Sequence, residues 1–278
     1  MTYSAKKTLP FLLEMRRQIS RKRTLIIYLF MIGLPALIAA AVKYGGSNDR
    51  SGRDAQPDLV SLATHGAANF AATMVYFATG FVLVVVVATF AGDTVASEAS
   101  WATMRYLLAS PVPRATFLLK KFAASLTLAA GAILTLPIAS YFIGWGLFGD
   151  ADFISPLGNS YPVTKIVSKL LIVMCYLFLS LLFCASLAFL ISTMTTVPLG
   201  AVGSAVGIVI VSNILDAISS LGTLRQWLPT HYLYSWLDLF TPRADPTNMI
   251  RGASLSVILS IVCITIALIR FSRVDVSS

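Results

Sequence analysis

Charge is what this sequence has least of. Only 12% of its 278 residues are Asp, Glu, Lys or Arg, against 57% hydrophobic, and its mean hydropathy is +0.80. A soluble domain is about a quarter charged, so these side chains are too few to cover a water-facing surface. Whole stretches of roughly 20 residues carry no charge, the length that crosses a bilayer as a helix. Cysteine and histidine are also scarce. Cys175, Cys184 and Cys263 lie inside apolar stretches with no CxxC and no neighbouring histidine. Neither metal nor redox chemistry is signalled, and they read as small buried apolar side chains. His65 and His231 stand apart from any Cys or Glu pair and read as structural.

Further absences narrow the function. No GxxxxGK[ST] loop occurs, so the chain does not cradle ATP by that route. An intramembrane serine hydrolase needs serine and histidine at one depth. Ser204 lies in an apolar span and neither histidine does. An ion-coupled transporter needs several buried ionisable groups or broken helices arranged as repeats, and Asp216 alone does not meet that. The net charge of +9 does not point to nucleic acid. Lys and Arg cluster at the ends of apolar spans, where they orient the chain and meet lipid headgroups, with no stacking aromatics between them.

What is present is an all-α, polytopic membrane pattern with six spans, near 24–42, 70–91, 117–147, 166–191, 197–218 and 253–269. The first, preceded by basic residues and closed by Ala39-Ala40-Ala41, is too long and too far from the start for a signal peptide, and is expected to remain as an anchor. Pro137 is expected to kink the third span, and Lys120 and Lys121 to snorkel at its end. Ahead of the first span, Phe11, Leu12, Met15 and Ile19 recur at helical spacing, with Lys7, Glu14, Arg17 and Gln18 on other faces. This reads as a helix lying on an anionic membrane surface, in preference to a merely basic flank. Lys6, Lys7, Arg16, Arg17, Arg21, Lys22 and Arg23, with Arg105, Arg114, Lys120, Lys121, Arg270 and Arg273, fall on one side of the membrane. By the positive-inside rule that side is the cytoplasm, so both termini are expected there.

The link 93–114, DTVASEASWATMRYLLASPVPR, is the most informative segment. Asp93 is expected to cap a new helix. Glu98 near its start and Arg105 near its end suit the helix dipole, and Pro111 and Pro113 end it. Trp101, Met104, Leu107 and Leu108 expose too much apolar surface for a free helix. They must bury in lipid headgroups or in a partner, and the residues alone leave both open.

Glu98 followed by Thr103-Met104-Arg105-Tyr106-Leu107-Leu108-Ala109-Ser110-Pro111-Val112-Pro113-Arg114 resembles the signature between the second and third helices of ABC-2 type permeases. The resemblance extends over nearly the whole chain, as one transmembrane domain with an interfacial segment 1–23, the coupling segment 93–114 and an outer amphipathic segment 221–250. Ala102 departs from the glycine that many members carry. The resemblance implies that 93–114 is a coupling helix docking on a separate ATP-binding subunit, with Glu98, Trp101, Thr103, Arg105 and Leu108 as contacts. It implies two copies of that ATPase, which bind ATP and Mg, and a second permease copy, identical or related. It also implies a bacterial inner-membrane location and export of drugs, lipids, peptides or other metabolites.

Other features admit two readings each. Gly200, Gly203, Ser204 and Gly207 let helices approach closely. They form a permease–permease seam, which the resemblance favours, or pack within one subunit. Asn69, Thr73, Tyr76 and Gly80, with Phe77 and Phe81 adjacent, line a path for an amphipathic substrate or make interhelical hydrogen bonds. Asn213 and Asp216 near the end of the fifth span are functional candidates by their depth, although Asp216 is expected to sit at the water interface. The segment 228–240 puts Leu228, Tyr232, Trp236 and Leu239 on one face, an aromatic helix at the outer interface. The resemblance makes it an external gate.

Overall fold

The computed structural model describes residues 11–44, 62–100, 113–154, 160–241 and 244–273. Its α-helices are α1 (Phe11–Ile19), α2 (Lys22–Tyr44), α3 (Ala67–Thr79), α4 (Val82–Ser100), α5 (Arg114–Phe148), α6 (Val163–Ser192), α7 (Pro198–Ala217) and α8 (Thr247–Arg273). Five of them are long and apolar enough to cross a membrane, and α3 with α4, bent by 59° at their break, make a sixth crossing if the pair is one span. The chain is an all-α, multi-pass membrane protein. We call the side holding α1 proximal and the opposite side distal.

The apolar residues pack as two neighbouring cores. The larger draws on α4, α5, α6 and α8, with Phe90, Leu118, Leu136, Leu177 and Phe189 among its fully covered side chains. The smaller joins Ala39, Phe70 and Met74 of α2 and α3. α6 is the hub, packed against α4, α7 and α8. Half of the apolar window of α5 and α6 is buried, but only 17% of that of α2 and 22% of that of α7. α2 and α7 therefore turn most of their surface to lipid or to another chain.

The second span is not the straight helix its composition suggests. It breaks at Gly80, whose missing side chain leaves room for the Tyr234 hydroxyl, and that hydroxyl hydrogen-bonds the Gly80 backbone. A backbone group released from the helical ladder inside a membrane has to find a partner within the protein. Pro35 and Pro137, by contrast, sit inside helices that run on through them. The link between spans also begins later than expected. Asp93 does not cap a new helix; it lies inside α4, which continues unbroken to Ser100.

Two distal features depart from the sequence reading. A two-stranded antiparallel hairpin pairs Phe153 with Tyr161 and Ile154 with Ser160, strands too short to show alternation. The segment 228–240 is not one amphipathic α-helix but a series of turns followed by a 3₁₀ segment, Ser235–Phe240. Trp236 and Tyr232 are nonetheless buried, and Tyr176 of α6 donates its hydroxyl proton to the Tyr232 carbonyl.

Candidate functional site

The proximal ends of α1, α4 and α5 meet in a buried cluster of charges. Lys121 of α5 is fully covered, and its Nζ lies 2.5 Å from Glu98 Oε1 of α4 and 3.0 Å from Glu14 Oε1 of α1. Arg17 Nη1 reaches the same Glu98 oxygen at 2.9 Å, and Gln18 Nε2 donates to Glu14 Oε1 at 2.8 Å. Lys121 Nζ also sits 5.0 Å over the Phe117 ring. Two carboxylates face two cations, of which Arg17 is part-exposed, and that pairing makes burial of Glu14, Glu98 and Lys121 tolerable. Burial pushes the Glu14 carboxyl up, but Lys121, Gln18 and Arg17 together outweigh it and hold the group below its ordinary range.

This arrangement accords with the interfacial reading of α1. The polar residues Glu14 and Gln18 face the protein and are buried, while Leu12, Leu13 and Ile19 face outward. That is the geometry of a helix lying in a membrane interface with its apolar face in lipid. Lys121, expected to snorkel, is instead enclosed. The signal for this was present but ambiguous. Glu14 and Gln18 stand four apart, on one helical face, yet nothing in their spacing indicates that Lys121 meets them.

Beside the cluster, Arg21 Nη1 donates to Asp93 Oδ2 at 3.0 Å and to Ser97 Oγ at 3.2 Å, and Arg23 also pairs with Asp93. Ser192, at the end of α6, accepts from the amides of Val95 and Ala96 at 3.1 and 2.9 Å. The last turns of α4 are thus held by α1, by the start of α2, by α5 and by α6. Residues 101–112 leave from this clamped end and return at Arg114, which donates to the Ser272 carbonyl of α8 at 3.3 Å. Of the expected coupling contacts, Glu98 is fully buried within the chain; Trp101, Thr103, Arg105 and Leu108 lie outside the described residues.

The expected path residues do not form one lining. Asn69 is buried and grips the distal hairpin, donating from Nδ2 to the Ile154 carbonyl at 2.7 Å and accepting from the Ile154 amide at 3.0 Å. Tyr76 packs between Phe77 and Tyr234. Thr73 and Asn213 are half-buried, and Phe77 is exposed. On α7, Gly200, Gly203 and Ser204 are exposed and Gly207 is half-buried, and nothing outside its own helix lies within 4 Å of where a side chain on Gly203 or Gly207 would begin. The opposite face, Ala201, Ala205, Val209 and Ser212, is the one buried in the subunit. Among the described residues, none packs closely on Gly203 or Gly207 from another helix.

At the distal end of α7, Asp216 is not merely interfacial. It accepts from His231 Nδ1 at 2.5 Å and from Arg225 Nε at 3.3 Å. His231, read as isolated, thus has a partner fifteen residues away. Among the described residues no group of three or more His, Cys, Asp and Glu side chains is placed to hold a metal ion.

Residues 11–276 match a family described as ABC-2 family transporter protein. A search of curated proteins finds no match.

Proposed function

The chain belongs to the ABC-2 family of transporter proteins, and we propose that it is the membrane-spanning subunit of an ATP-driven exporter whose ATPase is a separate polypeptide. On this reading residues 93–114 carry the coupling helix, and ATP and Mg bind in two copies of the partner. The lack of a phosphate loop in the sequence supports the division of labour. The proximal side is the cytoplasmic face of a bacterial inner membrane, as its excess of Lys and Arg suggests.

The observation that carries the reading is the clamp at both ends of 101–112. Glu98 on one side and Lys121 on the other share a buried ion pair, and that pair also holds α1. A push delivered through the intervening segment would load this pair. It is passed to α1, α4 and α5 together, which favours rotation of packed helices as rigid bodies over local loop motion. ATP-driven closure of the partner subunits would use this linkage to open the path distally.

The exposed Gly200, Gly203 and Ser204 supply a second permease copy with a surface of close approach. The cargo is a small amphipathic or hydrophobic compound, a lipid or a peptide. Asn69 is a structural residue in this scheme.

Arg105→Glu tests the docking role. The variant should insert in the membrane at wild-type level, fail to retain the ATPase on purification in detergent, and lose ATP-dependent export. Wild-type retention and export would remove 93–114 from the coupling role.

A further inference from the structure

Two cavities follow one another along the seam between α2 and α4. The proximal one, about 350 Å³, is lined by Arg21, Lys22, Arg23, Asp93 and Ser97 among others. The next, about 250 Å³, is apolar, with Ile26, Phe30, Phe81, Val85 and Thr89 in its wall. Thr89 and Asp93 are one turn apart on α4, so the basic cavity gives way to the apolar one within about 6 Å. From Ser97 to Val82, the seam on α4 runs about 22 Å at the rise of an α-helix, which is roughly the thickness of one leaflet including headgroups.

Among the described residues three cations, Arg21, Lys22 and Arg23, line the basic cavity beside one carboxylate, Asp93, which pairs with both arginines. Lys22 lines the cavity and makes no ion pair among the described residues, and the Nε of Arg23 is buried with no acceptor. The nearby Glu14 and Glu98 are already matched by Lys121 and Arg17. Ile26, Phe30 and Phe81 are exposed, which opens the apolar cavity to the surrounding lipid.

We propose that this seam is a binding site for an anionic glycerophospholipid of the proximal leaflet. Its phosphate sits among Arg21, Lys22 and Arg23, and one acyl chain lies between Ile26, Phe30 and Val85. A soluble anion would use the first half only, and a neutral lipid the second half only. The stacking of the two, over one leaflet's depth, is what selects a lipid with a charged head. Such a lipid would bridge α4 to α2, only 17% of whose apolar window is buried in the chain, and its binding does not depend on the ATPase partner.

Native mass spectrometry of the full chain, delipidated in detergent and titrated with dioleoyl phosphatidylglycerol or dioleoyl phosphatidylcholine, tests the site. The wild type should retain phosphatidylglycerol selectively. Lys22→Gln, an exposed change outside the buried cluster, should weaken that lipid about fivefold and leave phosphatidylcholine unchanged. Val85→Trp, which fills the apolar half, should weaken both lipids. Glycerol 3-phosphate, with the phosphate but no chains, should not displace the bound lipid. Equal retention of the two lipids by the wild type would overturn the proposal, and that comparison needs no variant to fold. Wild-type binding by Lys22→Gln, or displacement by glycerol 3-phosphate, would overturn it as well.

Discussion

Lys121 lies between two carboxylates with no exposure to solvent. Replacing it by methionine keeps the volume and takes from Glu98 and Glu14 the buried cation they share. Breaking one side of a buried pair costs about 3–5 kcal/mol, so Lys121→Met should lower the thermal unfolding temperature in detergent sharply. Pairing it with Glu98→Gln should restore much of the loss; a double variant no more stable than the single one would contradict the pairing. Glu14 adds a pH dependence whose sign is set by its depressed pKa. A carboxyl lowered on folding contributes stability above its unfolded value and loses it as pH falls through the folded one. Unfolding followed from pH 7 down through the acid range should therefore show a destabilising limb that flattens in Glu14→Gln.

At the scale of elements, the bent second span and the distal hairpin depend on single polar side chains. Asn69→Ala leaves the amide and carbonyl of Ile154 without their partners, a loss of about 1–3 kcal/mol if they stay buried. Hydrogen exchange at the hairpin should rise while α4, α5 and α6 keep their protection. The exposed stripe of α7 behaves differently. A side chain at Gly203 meets nothing in this subunit, so Gly203→Leu should leave the monomer's unfolding temperature unchanged. Cross-linking in membranes should then show loss of the permease pair. An unaltered pair would move the seam to another helix.

For the whole molecule, the prediction concerns sidedness. Lys121 ties α1 to the start of α5, and the Arg114 contact to Ser272 brings the end of α8 to the same place, so α1 and the end of α8 lie on one side. Single cysteines placed at Lys22 and Ser272 in a cysteine-free background should resist a membrane-impermeant thiol reagent in intact cells. Both should react once the cells are opened. One at Thr241, on the distal side, should react without opening. Labelling of Lys22 from outside would reverse the orientation. It would also detach the basic seam from the cytoplasmic leaflet.

Much of this architecture is a property of consecutive residues, and the sequence alone determined it. Hydropathy adds up along the chain, so the helical class and the apolar spans were legible to within a few residues. Pairing does not add up in that way. Lys121 and Glu14 are 107 residues apart, Arg21 and Asp93 are 72, and His231 reaches Asp216 across a break in the helix. No local period marks such partners, because each charge alone reads as a solvated end of a span. Only the packing of α1, α4 and α5 decided that Lys121 is buried rather than snorkelling, that Asp93 is an ion-pair partner rather than a cap, and that Gly80 is a break. Exclusion of water at that junction forces each polar group to find a protein partner, and tertiary structure alone says which one.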